Sequence, residues 1–309
     1  MENERVDHLQ HFGLERDPFG NDPMPGFHFE CAEQTATEQR LLRGPLHGKG
    51  LSVLIGGPGA GKTTLLRRLV EALPQNRFEA GVLVMVQREA DAVGFLQRIA
   101  RLFGVTAPPE DRAALIGQLA ARLGQIQERG LRAVAVVDEA HLLTGSELLD
   151  ELRGLLNLEG EQGRSLSLVL AGLPALEARL ARHGALGDRI DVKTRLLPFD
   201  AEASARYLAA RLAFARGKPD ILHPAAAAAL HERSGGVPRL LNTLADNALH
   251  EAFLAGRGAL AVEDVERAAQ DLAPRLEPAE LEAAEVLSAV EVEAEPYAVA
   301  SPRKPAVDA

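Results

Sequence analysis

The chain has 309 residues, of which 46% are hydrophobic and only 4% aromatic, and its formal net charge is −10. This length allows one large α/β domain and a smaller one with a mainly aliphatic core, and the charge argues against broad adhesion to DNA or anionic lipid. The lone Cys31 excludes an intrachain disulfide. Because the N-terminus lacks an apolar core region and no run reaches about 18 apolar residues, we expect neither a signal peptide nor a transmembrane segment.

The N-terminal residues 1–48 are predicted to form a segment that packs on the domain that follows. The first 30 residues contain several turn signals with proline and no helical periodicity. They also carry too many aromatic rings for a free tail, namely Phe12, Phe19, Phe27 and Phe29. The pattern from residue 31 to residue 47 predicts a helix.

Residues 56–63 read GGPGAGKT and satisfy the pattern G-x-x-x-x-G-K-[S/T]. A predicted strand, 51–55, precedes them and a predicted helix, 63–73, follows, which is the setting that this phosphate-binding loop requires. In such a loop the backbone N–H groups surround a phosphate, the lysine reaches the β- and γ-phosphates, and the hydroxyl joins the Mg²⁺ shell. We therefore predict ATP and Mg²⁺ as ligands of Gly56, Gly57, Pro58, Gly59, Ala60, Gly61, Lys62, Thr63 and Thr64, with Thr63 on the metal.

Apolar runs alternate with helical patterns between residues 49 and 198. The predicted strands are 51–55, 81–87, 131–137, 166–171 and 190–196, and the predicted helices are 63–73, 92–103, 111–129, 146–158 and 174–182. Such alternation predicts a parallel sheet with helices on both faces, and the unbroken apolar strands predict burial on both sides. The fold class is therefore α/β, a P-loop nucleotide-binding domain.

The run RAVAVVDEAH, residues 132–141, predicts a buried strand that delivers two carboxylates to its carboxyl end. Ligands bind at that end in open α/β sheets. Asp138 is placed to hold Mg²⁺ beside Thr63, and Glu139 to polarise the water that attacks the γ-phosphate. The alternative is a solvated acidic turn, and the phosphate loop upstream favours the catalytic interpretation.

The chain changes character after Pro198. Residues 199–273 are predicted to form a small all-α domain with alanine-rich helices at 201–216, 224–233, 237–255 and 262–272. Residues 274–309 are rich in Glu, Ala and Val and end in a proline-containing segment. We predict that they form an acidic, mostly disordered tail.

Two arginines are candidate contacts to the γ-phosphate. In GGVPRLLN, residues 235–242, Arg239 lies near a helix N-terminus, where a cation is unfavourable unless an anion compensates it. A surface pairing with Glu232 or Asp246 is the alternative. Arg189 flanks the last predicted strand, as does Arg195, and either one fits a finger that reaches a neighbouring subunit or a plain surface charge. Gln87, placed at the end of the second predicted strand, is a candidate gate for Glu139.

Together these features resemble an AAA+ ATPase, a parallel sheet followed by a helical lid. More narrowly, residues 8–272 resemble the general secretion pathway protein A (ExeA-like) ATPases and their relatives, which include transposition helper ATPases of the TniB and phage Mu B type. The motifs that carry this resemblance are FGL and DPF near the N-terminus, GGPGAGKTTLLR, VVDEAH, AGLPAL and GGVPRLLN. The resemblance implies that Asp138 and Glu139 are the Walker B pair, Arg239 the sensor 2 arginine and Arg189 the finger.

Three functions follow as hypotheses. The leading one is an ATPase that hydrolyses Mg-ATP to assemble or remodel a partner complex related to secretion or pili. It predicts a nucleotide-dependent homo-oligomer, located in the cytoplasm and peripheral to the inner membrane through a partner. The second is an ATP-dependent DNA-binding selector of transposition targets. The third is an ATP-binding scaffold with little hydrolysis, since Leu173 stands where the family usually has a polar residue after the glycine of AGLPAL.

Overall fold

The computed structural model describes residues 8–22, 24, 26–88, 91–160 and 163–272. These residues form two compact units. Among the described residues, the α/β unit contains 37–56 and 62–195, and the helical unit contains those between 8 and 36, residues 57–61 and residues 196–272. The predicted acidic tail, 274–309, lies outside the described residues. The domain limits drawn from the sequence, at residues 48, 198 and 273, stay a prediction.

The α/β unit is built on a five-stranded sheet with the order β2-β3-β6-β1-β7. Neighbouring strands are parallel in the pairs β2–β3, β3–β6 and β6–β1. A short antiparallel hairpin, β4–β5, precedes β6. The strands are β1 Leu51–Gly56, β2 Phe78–Val84, β3 Arg132–Asp138, β4 Glu159–Gly160, β5 Gly163–Arg164, β6 Leu166–Gly172 and β7 Ile190–Leu196.

Helices follow the strands as the sequence pattern predicts. Three of them begin at an aspartate whose carboxylate accepts backbone N–H groups of the first turn, which satisfies donors that a helix start leaves open. The helices are α1 His8–His11, α2 Ala32–Leu46, α3 Lys62–Ala72, α4 Ala92–Leu102, α5 Arg112–Glu128, α6 Ser146–Leu155, α7 Pro174–Arg182, α8 Gly184–Gly187, α9 Ala201–Phe214, α10 Pro224–Ser234, α11 Pro238–Leu254 and α12 Val262–Asp271.

The central strands are buried on both faces. Every residue of β1 and β6 is buried, and so is every residue of β3 except Arg132. Parallel strands covered by helices on both sides have no polar face, which explains their continuous runs of Val, Leu and Ala. The fold class predicted from the sequence, a parallel P-loop sheet followed by a helical region, is confirmed.

The second strand lies three residues earlier than its sequence pattern suggested. The prediction was 81–87, whereas β2 pairs Phe78 to Val84 with β3. The strand includes Glu79, whose carboxylate Arg122 and Arg129 hold at 2.5 and 3.0 Å. Gln87 is exposed and lies beyond the strand, so the prediction that it closes β2 is wrong.

The N-terminal aromatic residues belong to the core of the helical unit. Phe12 and Phe19 are buried there among side chains of α9, α10 and α11. Phe27 contacts the Tyr207 ring edge-on, with 6.1 Å between the centroids. The expectation that this segment packs on the nucleotide domain is therefore corrected for these residues. The physical reason is Arg211, a buried cation on α9 whose hydrogen bonds to the segment no local pattern reveals.

No helix in the described part of the chain combines the length and the apolar character needed to cross a bilayer.

Candidate nucleotide-binding site

The glycine-rich loop joins the end of β1 to the start of α3. Its backbone enters the left-handed region at Gly59, with φ 68°, and has φ 96° at Gly61. Residues with a Cβ rarely adopt such conformations. The loop therefore needs glycine at these two positions to turn from Gly56 into the first residue of the helix, Lys62.

Lys62 is buried at the N-terminus of α3, with 5% of its surface exposed. Its Nζ donates to the carbonyl oxygen of Gly56 at 3.2 Å, so the side chain folds back over the loop. A cation at a helix N-terminus opposes the helix dipole, and the same helix end favours an anion. This placement indicates that the loop is built for a bound anion.

The start of α3 and the end of β3 meet at one hydrogen bond. The Thr63 hydroxyl donates to Oδ2 of Asp138 at 2.5 Å, and Asp138 is completely buried. The other carboxylate oxygen accepts the backbone N–H of Glu139 at 2.9 Å. Burial raises the pKa of Asp138 and the nearby charge of Glu139 raises it further, whereas the hydrogen bond from Thr63 opposes this shift.

The oxygens of Thr63 and Asp138 fit a magnesium ion. Both are hard ligands of the kind that Mg²⁺ prefers, and they lie 2.5 Å apart at the head of the phosphate loop. Burial is the main cause of the raised pKa of Asp138, and the charge of Lys62 offsets it only in part. When bound, Mg²⁺ would neutralise this carboxylate and the charge of the phosphates. Its presence as a ligand stays a prediction.

Glu139 has an unusual backbone for a residue with a side chain. Its φ is 52° and its ψ 33°, which is the left-handed helical region. Such strain costs of order 1–3 kcal/mol and concentrates at functional sites. The turn leaves a third of the side chain exposed and sets its Oε2 at 3.2 Å from Nδ1 of His141. Glu139 thus follows Asp138 as predicted, and its carboxylate is accessible.

The loop after β3 is held by an arginine that sequence reasoning missed. Arg179 on α7 donates to the carbonyl oxygens of His141 and Leu143 at 2.5 and 2.6 Å. Burial lowers the pKa of Arg179, and the charges of Arg182 and Arg88 lower it further. The one signal in the sequence is that Arg179 lies on the helix after β6, and that β6 is the neighbour of β3 in the sheet.

In the helical unit, Arg239 lies against the glycine-rich loop. Its backbone N–H donates to the carbonyl oxygen of Gly59 at 3.3 Å. A Cβ added to Gly59 would stand 2.7 Å from the Cβ of Arg239. Pro238 occupies the first turn of α11, as the sequence predicted, and places Arg239 near the helix start. The contact agrees with a phosphate-sensing arginine, although that role stays a prediction.

The remaining predicted positions are less directly placed. Arg189 is half-buried and donates to Oδ1 of Asn157 at 2.5 Å, so its role as a finger stays a prediction. Arg195 forms an ion pair with Glu177 at 2.6 Å. Leu173 is buried before α7 and supplies no polar group.

Residues 45–180 match a protein-family model described as an AAA domain. In the solved structures, the ORC2 protein of Aeropyrum pernix superposes with a TM-score of 0.63 at 17% identity, over 83% of this chain and 72% of that one. The Drosophila ORC bound to DNA gives a TM-score of 0.63 at 18% identity, over 92% and 70% of the two chains. The chain therefore has the fold of AAA+ P-loop ATPases.

The general secretion pathway protein A of Aeromonas hydrophila is 34% identical to this chain over 272 residues. The match includes 86% of this chain, so the resemblance drawn from the motifs is confirmed. The chain spans about half the length of that curated relative, 48%. The chain thus contains an AAA domain and is similar to a general secretion pathway protein A.

Proposed function

We propose that this chain binds Mg-ATP and hydrolyses it, and that the cycle of binding and hydrolysis assembles or remodels a partner complex. The observation that carries the proposal is the hydrogen bond between Thr63 and Asp138. It joins a phosphate loop to a buried acidic strand end, with the partly exposed side chain of Glu139 one residue further on. A plain phosphate-binding turn requires neither the metal carboxylate nor the glutamate.

Each residue has a role in this proposal. The N–H groups of the loop and the ammonium group of Lys62 bind the phosphates, which orients the γ-phosphate. Thr63 and Asp138 hold the metal. Glu139 accepts a hydrogen bond from the attacking water and orients it. Arg239 is proposed to stabilise the charge of the γ-phosphate.

The similarity to a secretion-pathway protein supports a partner complex related to secretion or pili. Arg189 lies directly before β7 in the α/β unit and is partly exposed, so part of the residue is accessible to a second copy of the chain. We therefore include a nucleotide-dependent homo-oligomer in the proposal, with Arg189 as the finger that reaches the nucleotide of its neighbour.

The test compares ATP binding and turnover in matched variants. Lys62→Ala should abolish binding of ATP, with the exposed Lys218→Ala as the control. Glu139→Gln should bind ATP normally and lose at least about a hundredfold in turnover, the range typical of removing a catalytic acid–base group. Glu71→Gln, an exposed glutamate on α3, is its control.

The outcomes separate the hypotheses. Unchanged binding in Lys62→Ala would refute the nucleotide site. Normal ATP binding by the wild-type chain, with no hydrolysis in a single turnover, would instead favour the scaffold hypothesis that Leu173 suggests. A turnover that Glu139→Gln leaves intact would refute the assignment of the water-orienting residue.

One observation favours a second candidate function, ATP-dependent binding of DNA. Arg88 and Arg182 both lie close enough to Arg179 for their charges to act on it. Among the described residues, none of the three forms an ion pair with a carboxylate. Arg179 is held by the loop after β3, but the exposed Arg88 and Arg182 suit the phosphate backbone of a nucleic acid. A DNA mobility shift at low salt that requires ATP and weakens in Arg88→Ala would support this candidate, and no shift would refute it.

A further inference from the structure

A chain of hydrogen bonds in the helical unit links a buried arginine to the backbone of Arg239. Arg211 donates through Nη1 to the hydroxyl of Tyr207 at 2.6 Å. Tyr207 donates to Oδ1 of Asn242 at 3.0 Å. The side chains of all three residues are buried, with 5 to 7% of their surface exposed.

The series of hydrogen bonds continues through the N-terminal segment. Asn242 donates through Nδ2 to Oδ1 of Asn21 at 3.3 Å, and Asn21 donates through Nδ2 to the hydroxyl of Thr243 at 3.0 Å. Thr243 in turn donates to the carbonyl oxygen of Arg239 at 3.0 Å. Asn21 is therefore two hydrogen bonds from Arg239, although 222 residues separate it from Thr243 in the sequence.

The direction of every bond in this chain follows from Arg211. A guanidinium can only donate, so the hydroxyl of Tyr207 accepts from it and its own proton is directed to the oxygen of Asn242. The amide of Asn242 must then donate to Asn21, and that of Asn21 must donate to Thr243. Only one assignment of donors and acceptors satisfies all these groups. The series of hydrogen bonds is therefore cooperative and has a defined geometry.

The same helix start touches the phosphate loop, because the N–H of Arg239 donates to Gly59. A threonine that bonds back to the carbonyl four residues earlier is common in helices. Here the same hydroxyl also accepts from Asn21, so it fixes the first turn of α11 to the N-terminal segment. These hydrogen bonds therefore restrain the first turn of α11, which carries Arg239.

We propose that Asn21 and Thr243 are positioning residues for Arg239, and this inference rests on the proposed contact of Arg239 with the γ-phosphate. Without the hydrogen bonds of Asn21 and Thr243, the first turn of α11 would sample more orientations. Arg239 would then contact the γ-phosphate in a smaller fraction of them. The affinity for ATP should fall more than the affinity for ADP, because only ATP has the γ-phosphate.

The experiment measures the affinity of the full chain for a non-hydrolysable Mg-ATP analogue and for Mg-ADP. Thr243→Val keeps the shape of the side chain and removes the hydroxyl. It should weaken binding of the analogue about fivefold, the effect of losing one ordinary hydrogen bond, and leave binding of ADP unchanged. Thr243→Ser restores the hydroxyl and should restore affinity. Asn21→Ala should act as Thr243→Val does, with the adjacent exposed Asp22→Ala as its control.

A double-mutant cycle with Arg239→Ala decides between positioning and plain stability. If Thr243 acts through the arginine, Thr243→Val should have no further effect on the analogue once Arg239 is Ala. An additive loss in the double variant, or an unchanged affinity in Thr243→Val and Asn21→Ala, would overturn the inference. An unchanged affinity in Arg239→Ala alone would instead overturn the proposed role of that arginine. If Thr243→Val does not fold, the same cycle with Asn21→Ala gives the decision.

Discussion

The phosphate loop offers three glycines whose replacement by alanine should have three different costs. At Gly57 the φ angle lies outside the left-handed region, and an added Cβ meets nothing within 4 Å. At Gly61 the space is also open, but φ is 96°. At Gly59 φ is 68°, and the added Cβ would stand 2.7 Å from the Cβ of Arg239. The series therefore separates backbone strain from steric contact.

The expected free energies of unfolding follow from these two terms. Gly57→Ala should be neutral or stabilise the protein by up to about 1 kcal/mol, because alanine restricts the unfolded chain. Gly61→Ala should cost about 1–2 kcal/mol for a left-handed residue. Gly59→Ala should cost about 2–5 kcal/mol, the same strain plus about 1–3 kcal/mol for a contact that must be relieved by a backbone shift.

Urea denaturation without nucleotide, followed by circular dichroism, measures these differences. Circular dichroism suits a chain that contains no tryptophan. The order of stability should be Gly57→Ala, then Gly61→Ala, then Gly59→Ala. If Gly59→Ala were no less stable than Gly61→Ala, the close approach of Arg239 to the loop would be refuted. If Gly57→Ala were as unstable as the other two, the argument from φ would fail as well.

Three further predictions concern stability. Since its folded-state pKa is raised, ionised Asp138 destabilises the nucleotide-free protein, and the stability of the wild type relative to Asp138→Asn should fall as pH rises from about 3.9 through the folded pKa. Asp138→Asn should escape this loss, which thermal unfolding across that pH range without metal would reveal. Gly236→Ala should lower the free energy of unfolding in urea by more than about 3 kcal/mol. Gly236 has a φ of 74°, and an added Cβ would stand 2.0 Å from the carbonyl oxygen of Phe199. Gly235→Ala, with φ 59° and open space, should cost only about 1–2 kcal/mol. Arg211→Met should lower the urea-derived free energy by about 3 kcal/mol or more, since it leaves several buried acceptors unpaired; an unchanged midpoint would contradict its structural role.

The features that the sequence predicted well depend on local patterns. The glycine loop, the apolar strand that ends at Asp138 and the helix that begins at Pro174 are each encoded within about a dozen residues, and apolar periodicity or turn residues mark them. For this reason the fold class and the placing of Lys62 beside its loop could be predicted. The contact of Thr63 with Asp138 followed from the rule that ligands bind at the carboxyl ends of strands.

The features that the sequence missed depend on distant partners. Glu79 is tolerated inside a strand because arginines near the end of α5 neutralise it, and a window around residue 79 contains neither. The placing of the N-terminal segment depends on Arg211, 193 residues away from the carbonyl of Pro18. Arg179 on α7 likewise donates to the loop after β3, which belongs to a different part of the sequence. Polar contacts of this range leave no periodic signal.

The N-terminal segment also has a consequence for the order in which the chain folds during synthesis. Its first residues leave the ribosome long before their partners, because His11 bonds to Arg257 across 246 residues and Pro18 to Arg211 across 193. At about 5–20 residues per second, the shorter interval alone lasts roughly 10–40 s. The intervening α/β unit has time to form, whereas the rings of Phe12 and Phe19 remain without their core. Phe12 and Phe19 thus reach their buried positions only after the helices that they pack against have been made.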